Sequence, residues 1–242
     1  MSDPLLSGDD LGPGVVSPGP SSSSIFGSRL PLAVEYASLL VTEGVTRGLI
    51  GPREAPRIWE RHLDNCAVMS EKIGIGASVV DVGSGAGLPG IVLAVVRPDL
   101  RITLVEPLAR RTAFLSEAVS HLGLTSTVTV VRGRAEEVRL DPADVVTARA
   151  VAPLDRLVRW CLPLAAVGGR VLALKGSTAA EEATSHAAEV ARLGGSAPVV
   201  LRCGVGVIEP PTTVVEVVRE RAVGPSRSSR SSGSGRRRSR KG

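Results

Sequence analysis

Aromatic residues and long apolar runs are scarce in this sequence of 242 residues. Only 2% of the residues are Phe, Trp or Tyr, so the core must be built from Leu, Val, Ile and Ala. No apolar run reaches the roughly 18 residues from which a membrane-spanning helix is predicted. The start of the chain lacks a basic region followed by an apolar stretch, so we expect no secretory signal. These absences predict a cytoplasmic protein without a membrane partner.

Cysteine is also rare, and its spacing excludes two classes of small protein. Cys66, Cys161 and Cys203 lie far apart and form no C-x-x-C pair. This spacing argues against a zinc site and against a disulfide framework, and it suits a reducing compartment. We therefore expect no metal.

The net charge of +5 is concentrated at one end of the chain. Residues 222–242 carry six Arg, one Lys and no acidic residue. Without them, 22 basic side chains remain against 24 acidic ones, a net charge of −2. A Ser/Gly/Arg tail of this kind cannot bury a core and is expected to be disordered. It either makes salt-sensitive contacts with nucleic-acid phosphates or serves only as a solubilising extension.

Composition and periodicity divide the chain into four regions. Residues 1–28 are rich in Ser, Gly, Pro and Asp, which predicts a disordered arm. Residues 29–72 carry apolar residues at helical spacing, over 31–47 and 54–71, which predicts a helical extension packed on the core. Two further regions complete the division: a folded domain over 73–220 and the disordered basic tail over 221–242.

The folded domain alternates short apolar runs with windows of helical periodicity. Strand–helix–strand order predicts right-handed crossovers and an α/β fold, with a mostly parallel sheet covered on both faces. The last two apolar runs, PVVLRCGV and TTVVEVVR, have only GVIEPP between them and should pair as an antiparallel hairpin. We predict a Rossmann-like sheet of seven strands that ends in this hairpin.

A glycine-rich turn follows the first predicted strand, in DVGSGAGLPGI from Asp81. Gly85, Gly87 and Gly90 fit G-x-G-x-x-G, the dinucleotide fingerprint. Gly83, Gly85 and Gly87 equally fit the G-x-G-x-G turn of methyltransferases that use S-adenosylmethionine. Glycine lets the backbone turn sharply and approach a ligand closely. In an open α/β sheet, this turn lies where ligands bind, beyond the carboxyl ends of the strands.

Other residues help to separate the two interpretations. Glu106 ends the second predicted strand, where a carboxylate can accept the ribose hydroxyls of either cofactor. Asp81 suits the sulfonium of S-adenosylmethionine better than the pyrophosphate of a dinucleotide. Tyr36, the single tyrosine, has Leu40 rather than Lys four residues later, so a dehydrogenase proton donor is missing. An NAD-dependent oxidoreductase is disfavoured, and a non-catalytic RNA-binding protein on a degenerate methyltransferase fold is the other alternative.

Several motifs together are more selective than the glycines. These are DVGSGAGLPGI, RAEE at 134–137, ARAVAPL at 148–154, ALKG at 173–176 and WERHLDNCA at 59–67. With them, the chain resembles the RsmG (GidB) family, the bacterial 16S rRNA guanine-N7 methyltransferases. The resemblance runs from about residue 33 to residue 219 and implies the class I methyltransferase fold with S-adenosyl-L-methionine as cofactor.

The resemblance also implies a reaction and a partner. The substrate would be one guanine in the decoding-region loop of 16S rRNA, presented as rRNA or as the small ribosomal subunit. The residues agree, because no cysteine follows a proline as in C5-pyrimidine methyltransferases. No (N/D)-P-P-(Y/F) segment of the exocyclic-amine enzymes follows the fourth strand either. Guanine N7 has a free lone pair, so alignment and electrostatics can supply most of the catalysis. We expect a monomer.

Roles follow for individual side chains. Arg149, at the carboxyl end of the fourth strand, is expected to orient the guanine or a phosphate. Lys175 ends the fifth strand similarly and could assist by holding RNA phosphate. The expected cofactor-binding residues are Asp81, Gly83, Gly85, Gly87, Leu88, Glu106, Ala135, Glu136 and Arg149, with Ala135 and Glu136 beside the adenine as the resemblance implies. The expected RNA-binding residues are Arg110, Arg111, Arg134 and Lys175.

Three positions in the second predicted helix bear on the site. His62 and Asn65 lie three residues apart on one helical face, and the resemblance implies that both approach the cofactor pocket. Taken alone, a helical histidine is more often a structural residue. Asp64 departs from the family pattern, in which this position is usually apolar.

Overall fold

The computed structural model of the chain describes residues 17–149 and 152–223. The strands are β1 (Ser78–Val82), β2 (Arg101–Glu106), β3 (Val128–Arg132), β4 (Ala143–Arg149), β5 (Ala165–Leu174), β6 (Val199–Cys203) and β7 (Thr212–Val218). The helices are α1 (Pro20–Phe26), α2 (Leu30–Leu39), α3 (Asp64–Ala67), α4 (Gly90–Val96), α5 (Ala109–His121), α6 (Leu154–Cys161) and α7 (Ala179–Arg192).

The strands form one sheet in the order β3-β2-β1-β4-β5-β7-β6. Strands β1 to β5 are parallel, and β7 runs antiparallel to both β5 and β6. The predicted seven-stranded, mostly parallel sheet with a closing antiparallel hairpin is therefore confirmed. Because β7 inserts between β5 and β6, strand β6 points in the same direction as the parallel strands.

Helices cover both faces of the sheet. Residues of α1 to α5 share one apolar cluster with one face, and α6 and α7 share a second cluster with the other face. The central strands are rich in valine and almost wholly buried, as expected for a parallel sheet covered on both sides. The helical N-terminal segment thus belongs to the same core as the sheet. No helix of residues 17–149 and 152–223 has the length and apolarity needed to cross a membrane.

The N-terminal arm departs from the sequence prediction over its last residues. Pro20–Phe26 forms α1, where disorder over 1–28 was predicted. The Ser22 hydroxyl donates to the Asp64 carboxylate at 2.9 Å, and Phe26 packs edge-on against Trp59 with ring centroids 6.1 Å apart. These tertiary contacts stabilise a helix in a segment whose composition alone predicts no regular structure. Residues 1–16 of the arm and 224–242 of the tail lie outside the described residues.

The second predicted helix, over 54–71, is present but irregular. A 3-10 turn at Ala55–Arg57, a π turn at Trp59–Leu63, helix α3 and a 3-10 turn at Val68–Lys72 follow one another. Turns of the π type often occur at functional sites. Here the π turn carries His62, which points to the edge of the sheet where the glycine-rich turn lies.

Candidate functional site

The glycine-rich turn leaves the carboxyl end of β1 and leads into α4. Gly85 and Gly87 adopt positive φ angles of 60° and 97°, which side chains rarely tolerate. A Cβ on Gly87 would lie 2.7 Å from the hydroxyl of Tyr36, so this position also has no space for one. That hydroxyl donates to the carbonyl of Ala86 at 2.6 Å, and Tyr36 is fully buried. A side chain of the N-terminal helix α2 therefore holds the turn in place.

Asp81 lies beneath the turn rather than on its open side. One carboxylate oxygen accepts from the backbone N–H of Gly90 at 3.1 Å, and the other accepts from the hydroxyl of Thr147 at 3.1 Å. Asp81 is wholly buried, and burial raises its pKa to about 6. Its expected contact with the sulfonium stays a prediction. Asp81 fixes the first residue of α4, because Gly90 packs directly against it.

Glu106 ends β2 beside the turn. One of its carboxylate oxygens accepts from the N–H of Gly85 and the other from the N–H of Leu108, both at 3.0 Å. The guanidinium of Arg111 lies 3.9 Å away. Glu106 is almost wholly buried and lines neither of the two clefts described below, so its contact with the ribose hydroxyls stays a prediction.

A first opening, which we call the glycine cleft, has a volume of about 380 Å³. It is lined by Leu49, Ile50, Gly51, Glu54, His62, Gly83, Ser84, Gly85, Ala86, Leu88, Arg111 and Arg149. The structure thus brings together six residues that were predicted from separate motifs. They are Gly83, Gly85, Leu88, His62, Arg111 and Arg149. The residues from 49 to 54, between the two N-terminal helical segments, form the opposite wall.

Arg149 is held at the edge of the glycine cleft by uncharged acceptors. Its guanidinium donates to Nδ1 of His62, and a second nitrogen lies 3.4 Å from the sulfur of Cys66. Because Nδ1 accepts, the hydrogen-bond network assigns the His62 proton to Nε2, which donates to Glu54 at 3.0 Å. Burial, followed by the charge of Arg149, lowers the pKa of His62 to about 4. His62 is therefore neutral at physiological pH, and the charge of Arg149 is not compensated by it.

A second opening, the arginine cleft, adjoins the first and has a volume of about 730 Å³. It is lined by Arg61, Asn65, Arg149, Leu174, Lys175, Gly176, Ser177, Ala179, Ala180, Glu182, Val200, Arg202, Pro210, Pro211, Thr212 and Thr213. Arg149 lines both clefts and so forms part of the wall between them. Asn65 lies here and not in the glycine cleft, because its side-chain oxygen accepts from Thr212 at 2.9 Å.

Lys175 does not have the free charge that was expected of it. Its ammonium donates to Glu182 and to the carbonyl of Ala152, both at 2.8 Å, and only 7% of its side chain is exposed. Glu182 in turn accepts from the N–H of Leu154. The pair therefore holds the start of α6, and the expected phosphate contact would require Lys175 to leave a buried ion pair.

The remaining predicted residues lie away from the two clefts. Arg110, Arg134 and Glu136 are exposed, and Ala135 packs partly against the second apolar cluster. None of the four lines either cleft. The third strand does come close, since the N–H of Gly133 donates to the carbonyl of Glu106 at 3.2 Å. Their roles beside adenine and RNA stay predictions.

Sequence reasoning missed three residues of the site. The sequence analysis examined Tyr36 only as a possible dehydrogenase proton donor and rejected that role, yet Tyr36 supports the turn. Glu54 and Arg202 belong to no motif: Glu54 contacts His62 across one irregular helical segment, and Arg202 contacts Thr213 on the neighbouring strand. Among the described residues, no group of three or more His, Cys, Asp or Glu side chains could hold a metal ion.

The geometry fits one class of cofactor. A glycine turn with positive φ angles, an acid at the end of β2 and a closing antiparallel hairpin define an S-adenosylmethionine-dependent methyltransferase. A Cβ on Gly85 would have only the carbonyl of Gly83, at 3.8 Å, within 4 Å, so the protein itself leaves the space beside this backbone open to a ligand. The sequence comparisons identify the particular family: the chain belongs to the family described as rRNA small subunit methyltransferase G, which it matches over residues 29–206.

Curated relatives resemble the chain over most of its length. The ribosomal RNA small subunit methyltransferase G of Salinispora tropica is 64% identical, over 89% of this chain and 94% of the relative. That of Salinispora arenicola is 66% identical, over 90% and 93%. That of Thermobifida fusca is 53% identical, over 93% and 98%. The predicted family and the predicted enzyme class are confirmed, and neither the oxidoreductase nor the RNA-binding alternative is supported.

Solved structures agree at the level of the fold. The mitomycin 7-O-methyltransferase structure has a TM-score of 0.54 at 20% identity, over 83% of this chain and 69% of that one. P. horikoshii TYW2, solved in complex with MeSAdo, has a TM-score of 0.52 at 14% identity, over 66% and 63%. These similarities confirm the Rossmann-like methyltransferase fold. The cofactor of this chain is S-adenosylmethionine.

Proposed function

We propose that the two clefts together transfer a methyl group from S-adenosylmethionine to N7 of a guanine in small-subunit rRNA. The glycine cleft holds the cofactor, and the arginine cleft receives the nucleotide. The observation that carries this proposal is Arg149, which lines both clefts and has only neutral hydrogen-bond partners among the described residues. A guanidinium without an ion-pair partner is available to guanine O6, a phosphate or the cofactor carboxylate.

The residues of the glycine cleft divide the work of binding. The Gly83–Gly87 backbone lets the cofactor approach closely, and Glu106, buried beside the cleft, is the proposed acceptor of the ribose hydroxyls. The guanidinium of Arg111, 3.9 Å from Glu106, stabilises the negative charge of this carboxylate. Bound S-adenosylmethionine supplies a methyl group activated by its sulfonium. Asp81 and Tyr36 act through the turn that they hold and touch no reacting atom.

The acceptor needs little chemical help from the chain. Guanine N7 carries a lone pair at neutral pH, so no side chain has to remove a proton. His62, neutral and bonded on both ring nitrogens, is consistent with a positioning role rather than with acid–base work. Catalysis then comes from alignment of N7 with the methyl group and from the fixed charge of Arg149.

The location and assembly of the protein follow from this function. We infer a cytoplasmic protein, because small ribosomal subunits are in the cytoplasm. We propose a monomer, since the two clefts are complete within one chain. The division into four regions is kept as a proposal, except that α1 and a 3-10 turn at Gly27–Arg29 stand where disorder was predicted over residues 20–28.

Calorimetry and a labelled methyl group test the function. The purified chain is titrated with S-adenosylmethionine and, separately, with NAD. Unmethylated small-subunit rRNA and assembled subunits are then incubated with methyl-labelled cofactor, and N7-methylguanosine is mapped by chain cleavage. We expect binding of S-adenosylmethionine alone and labelling of one guanine. Binding of NAD, or label on a carbon or an exocyclic amine, would overturn the proposal.

Matched variants connect the reaction to Arg149. Arg149→Lys keeps a positive charge but loses the planar donor set, so we expect a fall in kcat of about 100-fold. Arg192→Lys is the control, because Arg192 pairs with Glu189 on the exposed side of α7. Equal activity of the two variants would remove Arg149 from the mechanism.

A further inference from the structure

Arg202, which no motif singled out, resembles Arg149 in how it is held. Its guanidinium donates to the hydroxyl of Thr213 at 2.8 Å and lies 3.5 Å from the carbonyl of Pro211. Both partners are neutral, and no described carboxylate forms an ion pair with Arg202. The residue is exposed and lines the arginine cleft. Two neutral acceptors orient this cation without consuming its charge.

The charges that line the arginine cleft are unequal in availability. Lys175 is paired with Glu182, and Arg61 lies 3.7 Å from Glu54. Glu182 is the one acidic residue among those that line the cleft, and Lys175 occupies it. Arg149 and Arg202 are the two cations of this lining that have no described carboxylate within 4 Å. The cleft therefore presents two arginines that form no ion pair with a described carboxylate, and an anion could bind to both.

The strand order places these two arginines along one edge of the sheet. Arg149 is the last residue of β4, and Arg202 is the penultimate residue of β6. Strand β6 runs in the same direction as β4, so both lie at the carboxyl edge where ligands bind. In register, Arg149 pairs with Leu174, which pairs with Val214, which pairs with Leu201. Three strand spacings thus separate β4 from β6, a distance of about 14 Å across the sheet.

We propose that Arg202 binds a backbone phosphate of the RNA next to the target guanine, while Arg149 holds the end nearer the cofactor. The inference rests on the proposed function and adds the subsite that anchors the strand. Thr213 and Pro211 aim the guanidinium, and the proline pair Pro210–Pro211 shapes the adjacent wall. A phosphate bound there fixes the nucleotide from its far side, so Arg202 contributes to substrate affinity and not to the chemical step.

RNA binding at several salt concentrations tests Arg202. The full chain and Arg202→Gln are titrated with unmethylated small-subunit rRNA, and methyl transfer is measured in parallel. We expect about ten-fold weaker binding, a KM raised in proportion and a kcat within two-fold, since one charge-assisted contact is lost. The plot of log affinity against log salt concentration has a negative slope. The magnitude of this slope should decrease by about 0.7 in Arg202→Gln, as loss of one phosphate contact to a single strand predicts. Arg202→Lys should keep the slope.

Controls separate this inference from the function on which it rests. Affinity for S-adenosylmethionine should be the same in Arg202→Gln and the parent chain, which verifies folding of the cofactor site. Arg192→Gln removes an equal charge outside the cleft and should leave affinity, slope and KM unchanged. If Arg202→Gln matches Arg192→Gln in slope and KM, the phosphate site is refuted while the methyltransferase stands. If the parent chain and Arg202→Gln differ in slope as expected but the parent chain transfers no methyl group, the proposed function fails instead.

Discussion

Single side chains at this site differ mainly in the charge of their partners. Lys175 has a carboxylate partner and is nearly buried, whereas Arg149 has a neutral imidazole and a thiol. A buried ion pair resists separation, so Lys175 stabilises the start of α6. An arginine with neutral partners remains available to an anionic ligand. The sequence places both residues at strand ends, but it does not indicate which side chains contact them, and these contacts separate their roles.

Glu54 is expected to act through His62 on Arg149. Glu54→Ala removes the acceptor of the Nε2 proton, while Arg149 still donates to Nδ1 and so keeps the proton on Nε2. We expect an unchanged tautomer, a ring that is less firmly held and a fall in kcat of about ten-fold. Glu54→Gln keeps an acceptor oxygen and should restore both the hold on the ring and the kcat. The hydrogen bond to Glu54 also raises the pKa of His62, so Glu54→Ala should lower that pKa below its value of about 4.

Nitrogen-15 NMR of the ring nitrogens measures the tautomer and the pKa of His62 directly. The chain has three histidines, and His62→Gln assigns the resonance of interest. In the parent chain His62 should stay neutral from pH 8 down to about pH 5, because burial disfavours the imidazolium. Titration of His62 near pH 6.5, or a proton on Nδ1 in the parent chain, would contradict the proposed arrangement.

At the scale of elements, α2 supports the glycine-rich turn of the proposed cofactor site. Tyr36→Phe removes the donor to the carbonyl of Ala86 and leaves this buried acceptor unsatisfied. We expect a loss of about 1–3 kcal/mol in the free energy of unfolding and weaker binding of S-adenosylmethionine. Chemical denaturation and calorimetry measure the two effects. A variant with lower stability and unchanged cofactor affinity would limit Tyr36 to a structural role.

The elements themselves were largely predictable, and the contacts between them were not. Apolar runs that alternate with helical windows predicted the strands, and the absence of a helix before the last run predicted the hairpin. The position of the glycine turn and of Glu106 followed from the rule for strand ends. The buried position of Asp81 depends on Thr147, 66 residues away, and helix α1 depends on Ser22 and Asp64. Local patterns carry no information on such pairs.

At the scale of the whole molecule, Asp64 is expected to make stability depend on pH. Burial raises its pKa to about 6 from 3.8, and one of its oxygens has no hydrogen-bond partner among the described residues. A raised pKa stabilises the fold while the group is protonated, so this contribution is present below about pH 4 and is lost as pH rises through 6. At pH 7 the fold carries a buried carboxylate at a cost of about 3 kcal/mol.

Asp64→Asn tests this linkage, because the amide is neutral and its oxygen can still accept from Ser22. Urea denaturation should give a variant more stable than the parent at pH 7 by about 3 kcal/mol, with the difference vanishing near pH 4. Asp144→Asn is a control of opposite sign, since hydrogen bonds from Ser78 lower the pKa of Asp144. That variant should be the less stable one at pH 7. A constant difference between Asp64→Asn and the parent across this range would disprove the linkage.

The insertion of β7 between β5 and β6 governs how the chain can mature during its synthesis. Translation delivers β5 first, β6 next and β7 last, yet β7 pairs with both of the others. Until residues 212–218 leave the ribosome, a nascent chain exposes the unpaired edge of β5, and β6 has no strand of the described sheet to join. Such open edges favour aggregation and chaperone capture. A premature stop before Thr212 would therefore abolish the enzyme through failed maturation, even though every residue of the glycine cleft had already been made.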